Sequence, residues 1–274
     1  MIKNSENLNI SDYSDWYVVA DFDRTITNGS SKTSWSILAS SDLVPREYAD
    51  ERNALYEIYR PIEIDPNMPF EEKSKKVKEW FQFHINLFIK YGISEELFEK
   101  AARDLRIMEF RPGAKEFLEF LYEKGVPVII ISAGIGNFIE CFLRNNGCLF
   151  PNIYISSNKI NFTEGKASGV EGDIIHSLNK NEVSLPEDIK KRLEGRGNVL
   201  LLGDQPSDLA MVDEGEHEHV LKVAFVASDM DEKTKKATFK DFDLVVEQGE
   251  DYNDMRSVIE EEINYGKNTN KKIK

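Results

Sequence analysis

Six short runs of β-branched and other apolar residues recur along this chain: "WYVVADFD" (16–23), "VPVIIISAG" (126–134), "NIYISSN" (152–158), "NVLLLGD" (198–204), "LKVAFVAS" (221–228) and "FDLVVEQ" (242–248). They are apolar throughout instead of alternating with polar residues, so they predict strands buried on both faces. Stretches with helical spacing separate most of them: "GAKEFLEFLYEKG", "IGNFIECFLRNNG", "DLAMVDEG" and "DYNDMRSVIEEEINYG". Strands that need cover on both sides, joined through helices, confine the chain to an α/β class with a Rossmann-like, doubly wound parallel sheet. Such sheets build their sites at the carboxyl ends of the strands. The polar residues that fall there are Asp21 and Asp23 after the first strand, Ser132 and Ala133 after "VIII", and Asp204 after "NVLLLG".

Residues 28–110 break this pattern. They hold no strand run and read as helices, in "PREYADERNALYEIYR", "FEEKSKKVKEWFQFHINLFIKYG" and "SEELFEKAARDL". The expected organisation is an α/β core from residues 1–27 and 111–265, an inserted helical subdomain at 28–110, and a basic, frayed tail at 266–274. Residues 1–14 are polar and read as a loose lead-in. Val77, Trp80, Phe81, His84 and Phe88 recur at helical spacing and predict a packed helix face. His84 and His176 read as structural, and four histidines without clustering argue against a zinc site.

The formal net charge of −14 argues against a nucleic-acid polymer or an anionic membrane surface as partner. It leaves room for a small anionic substrate, because a local site can be positive on an acidic protein. Cys141 and Cys148 are the two cysteines, too few for a disulfide framework and suited to a reducing compartment. The N-terminal "MIKNSENLNI" lacks the apolar segment of a signal peptide, and the longest apolar run, "VPVIII", is far too short to span a bilayer. Together these features predict a cytoplasmic protein.

Four pieces carry chemistry when taken in order: Asp21-Phe22-Asp23-Arg24-Thr25, Ser132 in "IISAGIG", Lys180 in "HSLNKNE", and Asp204 with Asp208 in "LLGDQPSD". Phosphoryl transfer through an aspartyl-phosphate wants this set. A carboxylate nucleophile can approach an anionic phosphoryl group only where cations neutralise the site. Asp21 is the expected nucleophile. Mg²⁺ is the expected cofactor, held by Asp21, Asp204, Asp208 and the backbone carbonyl of Asp23, since magnesium prefers hard oxygens and keeps several waters. Ser132, the backbone at Ala133, and Lys180 would hold the phosphate oxygens. Asp23 would protonate the leaving alcohol and then deprotonate the hydrolytic water. A metal beside Asp21 should keep its pKa low, while a like-charged neighbour raises that of Asp23. Lys166, in the loop "TEGKASG", is the rival for the lysine role. Asp208 also suits the N-cap of the stretch that follows it.

The series DxDxT, S, K and GDxxxD resembles the motif series of haloacid-dehalogenase-type phosphatases. Within them, "YRPIEIDPNMPFEEKSKKVKEWF", "IISAGIGNFIE", "GDIIHSLNKN" and "VLLLGDQPSDLAM" look like the cytosolic pyrimidine 5′-nucleotidase family, over roughly Asp21 to Glu247. The resemblance implies a Rossmann-like core with an α-helical cap. It implies removal of phosphate from nucleoside 5′-monophosphates, with a nucleoside able to accept the phosphoryl group in place of water. It also implies base contacts from Glu63 in "PIEIDP" and from Trp80 and Phe81. Phe83, before His84, occupies the position where the family usually has a serine lining the base site. Arg24 replaces a hydrophobic residue, and Pro206 and Ser207 alter the fourth motif; these departures leave the nucleobase open. Two alternatives stand beside this one: a phosphatase for another small phosphomonoester, such as phosphoserine or a sugar phosphate, and a non-catalytic ligand-binding protein on the same fold.

Overall fold

A computed structural model describes residues 2–3, 13–104, 107–226, 230–247, 251–257 and 259–260. The first apolar run forms β2 (Trp16–Ala20), buried along its whole length. It lies inside a seven-stranded sheet with β1 (Ile2–Lys3), β3 (Val128–Ile135), β4 (Ile153–Asn158), β7 (Asn198–Gly203), β8 (His219–Phe225) and β9 (Leu244–Val246). The order is β1-β9-β8-β7-β2-β3-β4, and every pairing is parallel except β1 with β9.

Alternation along the strands divides the core in two. Val18, Ala20, Val128, Ile130, Leu200 and Leu202 face one apolar cluster, while Tyr17, Val19, Ile129, Ile131, Val199 and Leu201 face the other. The first face is covered by α4 (Ala114–Glu123) through Phe117 and Leu121 and by α5 (Gly136–Asn145) through Phe138 and Phe142. The second is covered by Leu185, Met211 and Val212 and by α6 (Glu187–Leu193) through Ile189. Each such aliphatic side chain contributes about 1.5–3 kcal/mol on burial, so a run apolar on both faces is stable only as an interior strand. The sheet is thus covered on both sides, as the runs predicted, with the antiparallel edge strand as an addition. A further helix, α7 (Glu232–Thr238), precedes β9.

Register places the site. Ala20 pairs with Ile130 on one side and Leu202 on the other. Asp21 and Asp204, just past the ends of their strands, and Ser132 within β3 therefore lie within two residues of one level.

The described part of the 28–110 interval is helical, with α1 (Arg46–Ile64), α2 (Phe70–Lys90) and α3 (Glu95–Ala101). Several local expectations are corrected. Ile2–Lys3 are not a loose lead-in; they pair with Val245 and Leu244. β3 runs on through Ser132 to Ile135, past the expected strand end. α1 does not stop at Arg60 but carries Pro61 inside its last turn and brings Glu63 onto the helix. "DLAMVDEG" is not a helix: Pro206–Met211 form a 3-10 turn instead, because the Asp208 carboxylate reaches back to the backbone N–H groups of Asp204 and Gln205. The hairpin of β5 (Ile160–Thr163) and β6 (Lys166–Val170) was missed. Its turn residues Glu164 and Gly165 both have positive φ, 51° and 76°, which suits a tight hairpin turn. Residues 1, 4–12, 105, 227–228, 248, 258 and 261–274, assigned by the sequence to the lead-in, element ends, the last helix and the tail, lie outside the described residues. Among the described residues no helix is long and apolar enough to cross a membrane. Cys141 and Cys148 are free and buried.

The chain after β2 makes a tight turn over Phe22–Ile26, with Arg24 at φ 66°. Buried Arg111 holds this turn: its Nε donates to the Thr25 carbonyl at 3.2 Å, its Nη2 donates to the Arg24 carbonyl, and its guanidinium lies 4.7 Å from the Phe225 ring centre. Replacing Arg111 with Met removes both bonds, leaving the Arg24 carbonyl without this donor while the Tyr252 hydroxyl still donates to the Thr25 carbonyl at 3.2 Å. It should cost about 2–4 kcal/mol of stability in urea denaturation, by the scale of hydrogen bonds to charged groups.

Candidate active site

Asp21 follows β2 and is buried; its backbone N–H donates to the Leu202 carbonyl at 3.0 Å. Lys180 arrives from the loop beyond the hairpin and is buried beside it. Its ammonium donates to Asp21 Oδ1 at 2.9 Å and to Asp208 Oδ1 at 2.6 Å. Asp208 Oδ2 meanwhile accepts the N–H groups of Asp204 and Gln205 at 3.0 and 2.9 Å, so one carboxylate both caps the turn and meets the lysine. Carboxylate oxygens of Asp21, Asp204 and Asp208 lie within 4.8 Å of one another. A Cβ on Gly203 would meet Asp208 Cβ at 2.6 Å, so the sheet can approach this acid only through glycine.

Asp23 is held separately. The backbone N–H of Ser34 donates to its Oδ1 and the Ser34 hydroxyl to its Oδ2, each at 2.9 Å. Ser34 Oγ accepts the Ile135 N–H at 3.2 Å, and Ser132 Oγ accepts the Gly134 N–H at 3.0 Å. A Cβ on Gly134 would stand 2.4 Å from Ser34 Oγ, 3.1 Å from Ser132 Oγ and 3.3 Å from Asp23 Oδ2, so these oxygens converge on the bare α-carbon. The Ala133 carbonyl accepts Trp35 Nε1 and Asn158 Nδ2, both at 2.8 Å. Ser34 and Trp35 were not anticipated; the one signal was their closeness in sequence to the first motif.

Burial sets the electrostatics. It drives the pKa of Asp21 well above the ordinary carboxylate value; Lys180 opposes this, and Asp208, Asp204 and Asp23 add to it. Burial also pushes Asp23 up to about 6, against the two Ser34 hydrogen bonds and the charges of Arg24 and Lys180. Asp204 is pushed up to about 7 by burial and then by Asp208. Burial disfavours the charge on Lys180, but Asp208 and Asp21 outweigh it and hold its pKa above the ordinary value. The expected contrast of a low Asp21 and a raised Asp23 is absent without a cation: both are raised. Four acids surround one buried ammonium, so the group carries an uncompensated negative charge. Three hard-oxygen side chains in that state fit a divalent cation of the magnesium kind.

The remaining expected residues fall in two groups. Lys166 is exposed in the hairpin, with its side chain beside Gly92, and takes no part; Lys180 is the site lysine. Arg24 is exposed and sits near enough to lower the pKa of both Asp23 and Asp204. Glu63 accepts Ser177 Oγ at 2.7 Å and pairs with Arg60, which brings α1 onto the loop that carries Lys180. Trp80 stacks on Tyr59 with ring centres 6.1 Å apart and meets Phe81 edge to face. Phe81 also touches Trp35 and His176. The buried Trp80 Nε1 has no hydrogen-bond partner. Phe83 is placed differently: it is 40% exposed, and its ring meets Tyr59, the ring on which Trp80 also stacks. His84 and His176 are buried, and burial lowers their pKa values to about 3 and about 4, which leaves both neutral.

A mostly parallel sheet ending in this acid–lysine–serine group defines a haloacid-dehalogenase-like phosphatase. The fold is shared with an aspartyl-phosphate analogue of phosphoserine phosphatase, at TM-score 0.54 and 19% identity over 92% of this chain and 99% of that one. Cytosolic 5′-nucleotidase IIIB bound to cytidine superposes with TM-score 0.81 at 28% identity, covering 94% of this chain and 89% of that one. The human 7-methylguanosine phosphate-specific 5′-nucleotidase is 35% identical over 241 residues, 85% of this chain and 80% of the relative. Its Drosophila melanogaster counterpart is 30% identical, over 84% of this chain and 74% of the relative. Residues 21–263 match the pyrimidine 5′-nucleotidase (UMPH-1) family. The chain belongs to that family and is a phosphoric monoester hydrolase that acts on nucleotides.

The raised carboxylates give a pH signature. A folded-state pKa near 7 at Asp204 against about 4 in the unfolded chain favours the folded state at low pH, and that contribution is lost as pH rises from about 4 through about 7. In metal-free buffer, Asp204→Asn should therefore gain melting temperature over the parent as pH goes from about 4 to about 8. Excess magnesium should remove the gain by stabilising the parent alone.

Proposed function

We propose that the protein is a Mg²⁺-dependent 5′-nucleotidase that works through a phosphorylated Asp21. The observation that carries this is the buried Lys180 ammonium spanning Asp21 and Asp208, beside an acid group with excess negative charge. Asp21, Asp204, Asp208 and the Asp23 backbone carbonyl would hold the ion. When bound, it neutralises phosphoryl oxygens so that a carboxylate can approach.

An Asp21 oxygen attacks phosphorus and the bond from phosphorus to the 5′-oxygen breaks. Asp23, with a pKa near 6, gives its proton to that departing oxygen. A water then loses a proton to Asp23 and attacks phosphorus. The Asp21–phosphorus bond breaks and phosphate leaves. A nucleoside hydroxyl in place of water gives phosphotransferase activity by the same steps. Lys180, Ser132 and the backbone at Ala133 hold the phosphoryl oxygens. Ser34 keeps the Asp23 carboxyl in place for both proton transfers.

Helices α1–α3, with the β5–β6 hairpin, serve as the cap. The hairpin supports this grouping: Ser94 bridges Lys166, and the Ala167 N–H donates to the Ile93 carbonyl at 2.8 Å. The base side is Glu63 with Tyr59, Trp80 and Phe81. An anionic carboxylate beside stacked aromatic rings favours a base that carries positive charge, as the imidazolium of 7-methylguanine does. We therefore name 7-methylguanosine monophosphate as the favoured substrate, in line with the specificity for which the relatives are named. Two buried, unpaired cysteines suit a cytosolic setting.

Turnover of a panel holding 7-methylguanosine monophosphate, cytidine monophosphate, phosphoserine and a sugar phosphate, with magnesium and with chelator, tests this. The methylated nucleotide should lead, and Asp21→Asn should lose about a thousandfold or more. Phosphoserine turnover above that of every nucleotide, or an active Asp21→Asn, contradicts it.

A further inference from the structure

Away from the acids, one partly buried carboxylate gathers three donors. Glu182 Oε2 accepts the Tyr17 hydroxyl at 2.6 Å. Glu182 Oε1 accepts His217 Nε2 at 2.7 Å and the Asp213 N–H at 3.1 Å. The side chains of Glu182 and His217 are 12% and 11% exposed, and the Tyr17 and His217 rings meet edge to face at 5.9 Å. Burial and then Glu182 raise the pKa of Tyr17, so its hydroxyl stays a donor.

The partners repeat a pattern. Tyr17 lies on β2, four residues before Asp21; Asp213 and His217 follow Asp208; and Glu182 is two residues after Lys180. The three segments that Lys180 ties through Asp21 and Asp208 are thus tied a second time, through Glu182. The two ties differ in what the reaction does to them. The lysine bonds go to two acids of the reacting group, and the ammonium must share itself with phosphoryl oxygens when substrate arrives. The Glu182 bonds touch none of those groups and persist through turnover.

We propose that Glu182 is a positioning residue that holds the Lys180 loop against β2 and the 204–217 segment while the ammonium trades carboxylate for phosphoryl oxygens. This rests on the role given to Lys180 under the proposed function. In the bound state Lys180 alone no longer binds the three segments together, and a loop free to drift by even an ångström would weaken its hold on phosphate.

A double-mutant cycle in the full chain separates the cases, with Glu182→Gln, Lys180→Gln and the pair, read as kcat and KM for a nucleoside monophosphate and as inhibition by inorganic phosphate. Lys180→Gln should lose about a hundredfold or more in kcat/KM. Glu182→Gln should lose about tenfold, with a matching loss of phosphate inhibition. In the Lys180→Gln background the second change should cost less than about twofold, since there is no ammonium left to position. Equal losses in both backgrounds, or a Glu182→Gln protein within about twofold of the parent, overturn the proposal. Should Glu182→Gln fail to fold, Tyr17→Phe removes one of the three bonds and is put through the same cycle under the same criteria. An unimpaired Lys180→Gln overturns the role of Lys180 itself, and the Glu182 proposal with it.

Discussion

The ammonium of Lys180 lies between Asp21 and Asp208, out of water, and the sheet edge around it depends on that placement. Two buried carboxylates this close repel, and with Asp23 and Asp204 added the group would be untenable without a cation. One lysine from a distant loop compensates part of that charge. It also joins what the sheet alone leaves apart: the end of β2, the turn after β7, and the crossing loop. The pKa values of Asp21, Asp23 and Asp204 are raised first by burial, with neighbouring acids adding to it at Asp21 and Asp204. A site poised in this way favours protons and offers three carboxylates whose oxygens fit a divalent ion.

The two acids of the first motif are separated by their partners, not by their distance in sequence. Asp21 meets a charged donor, while Asp23 meets the hydroxyl and the amide of Ser34. Burial raises both, so the fold by itself does not give Asp21 a low pKa. The Ser34 clamp continues into the helical segment. Trp35, next in sequence, donates to the Ala133 carbonyl and stacks on Phe88 of α2 with ring centres 5.7 Å apart. The backbone at the expected phosphate-binding position and the aromatic interior of the helical segment are therefore in continuous contact.

Much of the fold was legible because burial on both faces leaves a local mark. A run such as "VVA" or "VLLLG" has few places to go except a sheet interior, and the polar residue that ends it marks the site edge. What escaped was written in weaker or longer-range terms. Ile2–Lys3 pair through backbone groups, which no side-chain pattern reports. The hairpin at 160–170 hung on a two-residue turn with Glu164 at positive φ, an unusual choice outside glycine and asparagine. The helical stretch read from the sequence stops at Arg60, yet the helix runs to Ile64. Phe83 lies three residues beyond Trp80 on α2 and shares its contact with Tyr59, but at 40% exposure it stays at the rim of the aromatic group, a difference in burial that helical spacing alone does not report.

The order of the acids, the hydroxyl and the lysine, and the parallel sheet that lines them up, follow from the chain alone, because each is set by residues near one another in sequence. The choice of Lys180 over Lys166, the pairing of Ser34 with Asp23, the placing of Glu63 on Ser177 and the clustering of Tyr17, His217 and Asp213 on Glu182 were decided by tertiary structure. Each joins segments far apart along the chain. A hydrogen bond or ion pair of that kind forms only after the sheet has set the register, so no local pattern of residues announces it.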